Sequence, residues 1–156
     1  MNIILDNTNF QLGYMYFLQP KQNIIMDGTF SKIIYSNEYF SLNSVYLSMP
    51  LEIQCVERSG NKHSARLSVD SSNNSAFIQE LSKIENRIIE YYKQTHPNKG
   101  TKNSIVSIYK QLVSGSIKLY SARKECDTAI PQFMLKISGI WESHTDIGLT
   151  YKIIEV

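Results

Sequence analysis

The chain has 156 residues, of which 42% are hydrophobic and 19% charged, and its formal net charge at pH 7 is +2. This length fits one domain, which we assign to residues 1–156, and the composition excludes the low-hydrophobicity, high-charge signature of disorder. The small net charge excludes a polycationic condenser of nucleic acid. It leaves room for a local groove built from a few lysines.

No stretch of the sequence approaches the roughly 20 consecutive apolar residues that a membrane-spanning helix needs. The N-terminus lacks the basic region and small-residue cleavage site of a signal peptide, so we expect an intracellular protein that is not secreted. Cys55 and Cys126 are the two cysteines, which is too few for a disulfide framework or a four-ligand zinc site. We expect both to be reduced, packed thiols.

The first half of the chain predicts short strands separated by turns. An Asp-Gly turn precedes the β-branched and aromatic run 30–35. A longer extended segment covers 44–56, and Pro50 interrupts it, so we expect an edge, a bulge or a bend there. The alternating segment 65–69 follows a Ser-Gly-Asn turn and predicts a hairpin with the end of that extended segment.

Two helices are predicted in the middle of the chain. Apolar residues at spacings of three and four predict a long helix over 77–91, capped by Asn74 or Ser75. A shorter helix is predicted over 104–113, and Gly115 ends it.

Three alternating segments, 116–120, 133–138 and 147–153, predict closing strands. Because strands and helices do not alternate throughout, the order argues against a parallel β-α-β fold. It favours a mainly β fold with inserted helices (α+β). The closest architecture is an antiparallel five-stranded barrel of the oligonucleotide-binding (OB) type, with one long and one short helix between the early and late strands. A jelly roll or other β-sandwich with a helical insert is the alternative.

The sequence carries no recognisable catalytic or cofactor motif. His63, His96 and His144 are scattered over loop-like positions, and no phosphate-binding glycine loop or nucleophile elbow is present. Glu80 and Glu85 are expected on the solvated face of the long helix rather than as a general acid and base. We therefore expect a protein that is not an enzyme, with no catalytic residues, no metal and no cofactor.

Basic and aromatic residues are interleaved at strand spacing. Alternation places Lys118 and Tyr120 on one face of their strand, and the other two closing strands each carry a lysine on the less apolar face. Binding of single-stranded nucleic acid combines such cations with aromatic rings on which bases stack, at about 1–3 kcal/mol per stack. The candidate nucleic-acid-binding residues are Lys32, Tyr35, Lys118, Tyr120, Arg123, Lys124, Lys136, Trp141 and Lys152.

Three of these candidates leave alternatives open. Trp141 is the only tryptophan and follows Gly139, where the strand must kink or bulge, so its ring is either core or a stacking platform. Lys32 and Tyr35 have odd spacing, so they cannot share a face of one strand without a bulge.

Segments 136–142 (Lys-Ile-Ser-Gly-Ile-Trp-Glu) and 147–152 (Ile-Gly-Leu-Thr-Tyr-Lys) resemble the closing hairpin of the phage-type single-stranded DNA-binding proteins of nucleocytoplasmic large DNA viruses. Segments 27–36 and 42–47 are similar to their opening strands, and 111–120 is similar to their helix-to-strand junction. The resemblance implies an OB fold that coats single-stranded DNA during viral DNA replication or recombination. It also implies that no cofactor is needed and that the protein acts in the host-cell cytoplasm or nucleus.

The partners implied by the resemblance are single-stranded DNA and replication proteins. Whether the chain forms a homodimer is left open at this point. Such proteins usually end in an acidic tail that recruits replication partners, whereas this sequence ends Ile153-Ile154-Glu155-Val156, so no tail contact is carried over. The alternative from another class is a small structural, virion or scaffold protein with a β-sandwich fold, whose tyrosines make protein contacts. A degenerate enzyme domain is the third interpretation.

Overall fold

The computed structural model describes residues 3–25, 27–68, 70–97, 101–121 and 131–156. The strands in these ranges are β1 (Met15–Phe17), β2 (Lys21–Gln22), β3 (Thr29–Ser36), β4 (Ser41–Leu42), β5 (Val45–Met49), β6 (Ile53–Ser59), β7 (Lys62–Leu67), β8 (Asn103–Ile105), β9 (Ser116–Ser121), β10 (Phe133–Glu142) and β11 (Asp146–Glu155). The helices are α1 (Ser72–Thr95) and α2 (Ser107–Val113), with a short 3-10 helix at Leu12–Tyr14.

All eleven of these strands belong to one open, mixed sheet. Its main path runs β1-β3-β10-β11-β9-β7-β6, while β2, β4, β5 and β8 pair off this path. Most pairings are antiparallel, but β11 pairs in parallel with both β8 and β9. The predicted mainly β, α+β class is confirmed. The closed, antiparallel five-stranded barrel is not what the described strands form.

The difference has two physical causes. Strands β1, β2, β4 and β8 are only two or three residues long, which is too short for alternation of apolar and polar residues to reveal them. The chain also follows one edge of β11 in two steps, first as β8 and then, after α2, as β9, so both strands run parallel to β11. A strand pairing of this kind leaves no signature in the sequence.

The long β10–β11 hairpin lies at the centre of the sheet. Its antiparallel register runs from Phe133 opposite Glu155 to Glu142 opposite Ile147, with a bulge between Ile137 and Gly139. On its other edge, β10 pairs with β5 as far as Ile137 and with β3 from Gly139 onwards. The bulge therefore lies where one partner strand gives way to the next.

Strand alternation divides the sheet into a core face and an opposite face, which we call the outer face. The core face carries fully buried side chains such as Leu135, Ile137 and Ile153. Helix α2 packs on this face, where the Tyr151 hydroxyl donates to the Ser107 carbonyl oxygen over 3.2 Å. Burial raises the pKa of Tyr151 to about 12, so its hydroxyl remains a donor at neutral pH.

The N-terminus of α1 differs from the prediction. Ser71 is the cap, and its hydroxyl oxygen accepts a hydrogen bond from the Asn74 N–H over 3.4 Å. The predicted caps Asn74 and Ser75 lie inside the helix. The buried Asn74 amide instead bridges two backbone segments, accepting from the Glu52 N–H (2.7 Å) and donating to the carbonyls of Glu52 (2.8 Å) and Ser68 (3.0 Å). Its side chain thus satisfies buried backbone groups rather than a helix end.

Helix α2 begins later than predicted, after the short strand β8, and its N-cap Val106 offers no side-chain hydrogen bond. Glu85 of α1 supplies that bond, because its carboxylate accepts from the N–H groups of Ile108 (2.9 Å) and Tyr109 (3.1 Å). The expectation of a solvated Glu85 is therefore wrong, since the residue is 1% exposed. Burial raises the pKa of the Glu85 carboxyl above its ordinary value, and the two backbone donors oppose that shift.

The buried stripe of α1 gives a direct test of this packing. Phe77, Leu81, Ile84 and Ile88 are all buried, as the spacing predicts. We expect Leu81→Ala to lower the free energy of unfolding by roughly 2–5 kcal/mol, because it opens a cavity beneath the sheet. Urea denaturation measures the change, with Arg87→Ala at an exposed position of α1 as the control. Equal losses from both substitutions would show that the stripe is not what holds the helix.

The pH dependence of stability tests the burial of Glu85. Since its folded-state pKa is raised, the folded chain binds more protons at this position than the unfolded chain does. The stabilisation contributed by Glu85 is therefore full below its ordinary pKa, 4.5, and is lost as the pH rises through the raised pKa. We expect the wild type to lose stability relative to Glu85→Gln as the pH rises above 4.5 and through the raised pKa of the folded state.

Urea denaturation at a series of pH values measures this difference. Glu80→Gln, at an exposed position of the same helix, controls for the removal of a carboxylate. A wild type that gained stability relative to Glu85→Gln as the pH rose would contradict the assignment.

Candidate nucleic-acid interface

Three of the predicted lysines form a row across the outer face. Lys136 of β10 and Lys152 of β11 are direct cross-strand partners. Lys118 of β9 precedes Leu119, which pairs with Ile153 of β11, so Lys118 lies beside Lys152. Because neighbouring strands are about 4.8 Å apart, the row places three cations within about 10 Å.

The lysine row forms part of a broad depression with a volume of about 1060 Å³. The hairpin of β6 and β7 supplies much of the remaining wall. The residues that line the depression are Glu57, Ser59, Asn61, Lys62, His63, Ser64, Lys118, Leu119, Tyr120, Lys136, Lys152 and Ile154. We call this set the lysine depression.

Tyr120 lies among these cations. The Lys118 Nζ is 5.2 Å and the Lys152 Nζ 4.9 Å from the centroid of its ring, and the residue is 41% exposed. Lys136 makes a similar contact on the far side of the row, where its Nζ lies 5.8 Å from the ring centroid of Tyr46. Cation–π contacts of this length are worth about 0.5–1 kcal/mol at exposed sites. They hold the ammonium groups over the sheet rather than leaving them free in solvent.

The charge of the depression is strongly one-sided. It is lined by four lysines, and Glu57 is the one acidic residue among the described lining residues. The Glu57 carboxylate lies 3.3 Å from Arg66, so its charge is already partly balanced. Neither Lys136 nor Lys152 forms an ion pair with a carboxylate in the part of the chain that the structure describes. The depression therefore presents an excess of positive charge despite the near-neutral chain.

Tyr35 does not belong to this surface. It alternates with Ile33 on the core face of β3 and is 1% exposed. Its ring stacks with those of Phe10 and Phe40, and its hydroxyl oxygen accepts a hydrogen bond from the Gln11 N–H over 3.1 Å. A buried ring cannot stack on a nucleic-acid base, so the prediction of Tyr35 as a binding residue is wrong.

The remaining predicted residues fall into two groups. Lys32 and Trp141 are on the outer face, where β3 pairs with the second half of β10, and so are not among the residues lining the lysine depression. Arg123 and Lys124 lie outside the described residues.

Sequence reasoning missed Lys62. It lies at the start of β7 on the same face as Ser64, which pairs with Lys118 of β9. The hairpin with β6 was predicted, but only from residue 65 onward. Extending the same alternation back to the turn would have placed Lys62 on the polar face.

No three His, Cys, Asp or Glu side chains are grouped to hold a metal ion in the described ranges. Cys55 is a free thiol and is exposed on β6 rather than packed as expected, while Cys126 lies outside the described part. None of the described helices has the length and apolar character needed to cross a membrane.

Comparison with known proteins gives no assignment. Scans against protein-family models and searches of curated proteins and of solved structures find no match to this chain. The function must therefore be argued from the chemistry of the outer face.

The apposed lysines generate a thermodynamic prediction. Like charges directly opposite each other in a sheet repel by about 0.2–1 kcal/mol. We replace Lys136 and Lys152 by glutamine, singly and together. Each single substitution relieves the same repulsion, so adding the two single effects counts that relief twice. The double variant should therefore be less stable than this sum predicts, by about 0.2–1 kcal/mol.

This coupling should shrink as salt is added, since exposed charges are screened. The cycle separates the repulsion from the cation–π contacts of each lysine, which a single variant would not do. A matched cycle on Lys32 and Lys152, which are not strand partners, should be additive. Additivity for the Lys136–Lys152 pair at low salt would mean that the two charges do not interact.

Proposed function

We propose that this chain binds single-stranded nucleic acid through the outer face of its sheet. The observation that carries the proposal is the row Lys136, Lys152 and Lys118 with the exposed Tyr120 ring among them. Opposed lysines with no carboxylate between them lower the stability of the free protein. A polyanion bound across the row would compensate for that cost, because each phosphate can neutralise one ammonium group.

The aromatic ring favours a single strand over a duplex. Tyr120 is 41% exposed, and an unpaired base would stack on its ring in place of the lysine ammonium groups that lie over it. In a duplex the faces of the bases are already stacked on one another, so they are not free to contact the ring. Lysine contacts to phosphate would still allow weak duplex binding, but without the stacking energy.

The resemblance adds a more specific setting to this proposal. We infer that the ligand is single-stranded DNA coated during viral DNA replication or recombination, with replication proteins as further partners. In this setting the chain acts as a binding protein rather than as an enzyme. The outer face of the open sheet would bind the strand without the closed five-stranded barrel that the element order predicts.

One observation favours the structural-protein alternative. Ile24 and Ile25, between β2 and β3, are 98% and 96% exposed. Adjacent exposed aliphatic residues mark contacts with other proteins when they belong to a contiguous apolar patch. A chain that failed to bind oligonucleotides and sedimented as a large assembly would favour this alternative over the present proposal.

Fluorescence titration with labelled oligo-dT tests the proposal. We expect salt-sensitive binding to the single strand and much weaker binding to a duplex of equal length. Lys118→Ala, Lys136→Ala and Lys152→Ala should each weaken binding to every sequence and flatten the slope of log affinity against log salt by about 0.7.

Lys83→Ala is the matched control, because Lys83 is an exposed lysine on α1, away from the sheet. It should leave both affinity and slope unchanged. An unaltered slope in all three sheet variants, or equal affinity for duplex and single strand, would contradict the proposal.

A further inference from the structure

Two aromatic rings pack against glycines of the outer face, in the half of the sheet away from the lysine depression. A Cβ atom placed on Gly139 would lie 2.4 Å from Cζ of Phe30. A Cβ placed on Gly148 would lie 2.6 Å from Cζ2 of Trp141. Each ring therefore rests on the backbone of the next strand, at a position that only glycine allows.

The two rings are neighbours. Phe30 of β3 and Trp141 of β10 are direct partners in the strand register, and Trp141 is in turn paired with Gly148 of β11. Both aromatic residues are partly exposed. Each ring thus packs against glycine backbone while its residue keeps some exposure to solvent. Together they form an aromatic surface that we call the Phe30–Trp141 patch.

Two lysines flank this patch. Lys21 of β2 is the strand partner of Phe30, and Lys32 lies two residues beyond Phe30 on the same face, opposite Gly139. Both lysines are exposed. Neither pairs with a carboxylate among the residues that the structure describes. The patch thus repeats the combination of ring and cation found around Tyr120.

Strand β11 connects the two regions. Its outer face carries, in order, Gly148 beside Trp141, then Thr150 and Lys152, and finally Ile154 beside Tyr120. Six residues of strand at about 3.3 Å each separate the two rings by about 20 Å. A stacked single strand with about 3.4 Å per nucleotide covers this distance in about six nucleotides.

We propose that the Phe30–Trp141 patch is a second base-stacking site, and that one copy of the chain binds a single strand of about six nucleotides along β11. This inference rests on the proposed function, because it takes the lysine depression as the first site. It assigns Phe30 as a stacking residue and Lys21 and Lys32 as phosphate contacts. The Lys136–Lys152 pair lies along the path between the two rings.

Tryptophan emission reports on the patch alone, because Trp141 is the only tryptophan of the chain. We compare oligo-dT of about four and about eight nucleotides, lengths at the lower end of known site sizes. The longer strand should reach both rings and quench the emission, while the shorter strand should bind more weakly and quench little. The step in affinity between the two lengths is the signature of a second site.

Trp141→Leu keeps an apolar cover on Gly148 but removes the aromatic face. We expect it to weaken binding of the longer strand by about 5- to 150-fold, the equivalent of one lost stack, and to leave the shorter strand within about twofold of wild type. Trp141→Phe should restore much of the loss. Thermal melting of each variant checks that the fold is retained.

A second variant keeps the test decisive if Trp141→Leu does not fold. The double substitution Lys21→Gln/Lys32→Gln retains the aromatic patch and should flatten the salt slope for the longer strand by about 1.4, without changing it for the shorter one. Lys83→Gln on α1 is the control.

The outcomes separate the two proposals. Absence of binding to either length would overturn the proposed function and this inference together. Binding that is weakened by Lys118→Ala but shows no quenching, no length step and no effect of the Lys21/Lys32 substitutions would overturn this inference alone. It would leave Phe30 and Trp141 as structural cover for the two glycines.

Discussion

The register of the β10–β11 ladder fixes both the core and the candidate interface. Leu135 and Ile153 are buried partners on the core face, and Lys136 and Lys152 are their immediate neighbours on the outer face. Because side chains alternate with a period of two, a slip of one residue would bury lysines and expose isoleucines. Burial of the apolar face therefore holds the two lysines opposite each other. The energy that folds the sheet also maintains the repulsion on its outer side.

Two buried carboxylates secure the ends of this ladder. At the open end, Glu155 accepts two hydrogen bonds from Arg58 of β6, over 2.6 and 2.9 Å. At the turn end, Glu142 lies 3.4 Å from the Lys102 ammonium group. In sheet order β6 is three strands from β11, about 14 Å if the sheet were flat, so the contact with Arg58 requires the sheet to curl. The ion pair thus helps to position the β6–β7 hairpin, which forms one wall of the lysine depression.

Local periodicity predicted the long helix, the hairpin of β6 and β7 and the three closing strands, because each buries one face of a regular element. It could not predict the burial of Asn74 or Glu85, since both serve backbone groups distant in sequence. The candidate interface was likewise predictable only in part. Alternation placed Lys118 with Tyr120, but only the strand order brings Lys118 beside Lys152. Tyr35 was misassigned although its alternation with Ile33 already placed it on an apolar face.

The outer face departs from ordinary sheet design in three ways that share one explanation. It places like charges opposite each other, it carries glycines inside two central strands, and it leaves large aromatic rings partly accessible. The first two lower the stability of a sheet, and the third exposes apolar surface to water. A ligand with regularly spaced negative charges and flat apolar faces would offset the repulsion and cover the rings. Single-stranded nucleic acid has both properties, whereas a purely structural contact would account for the rings but not for the apposed lysines.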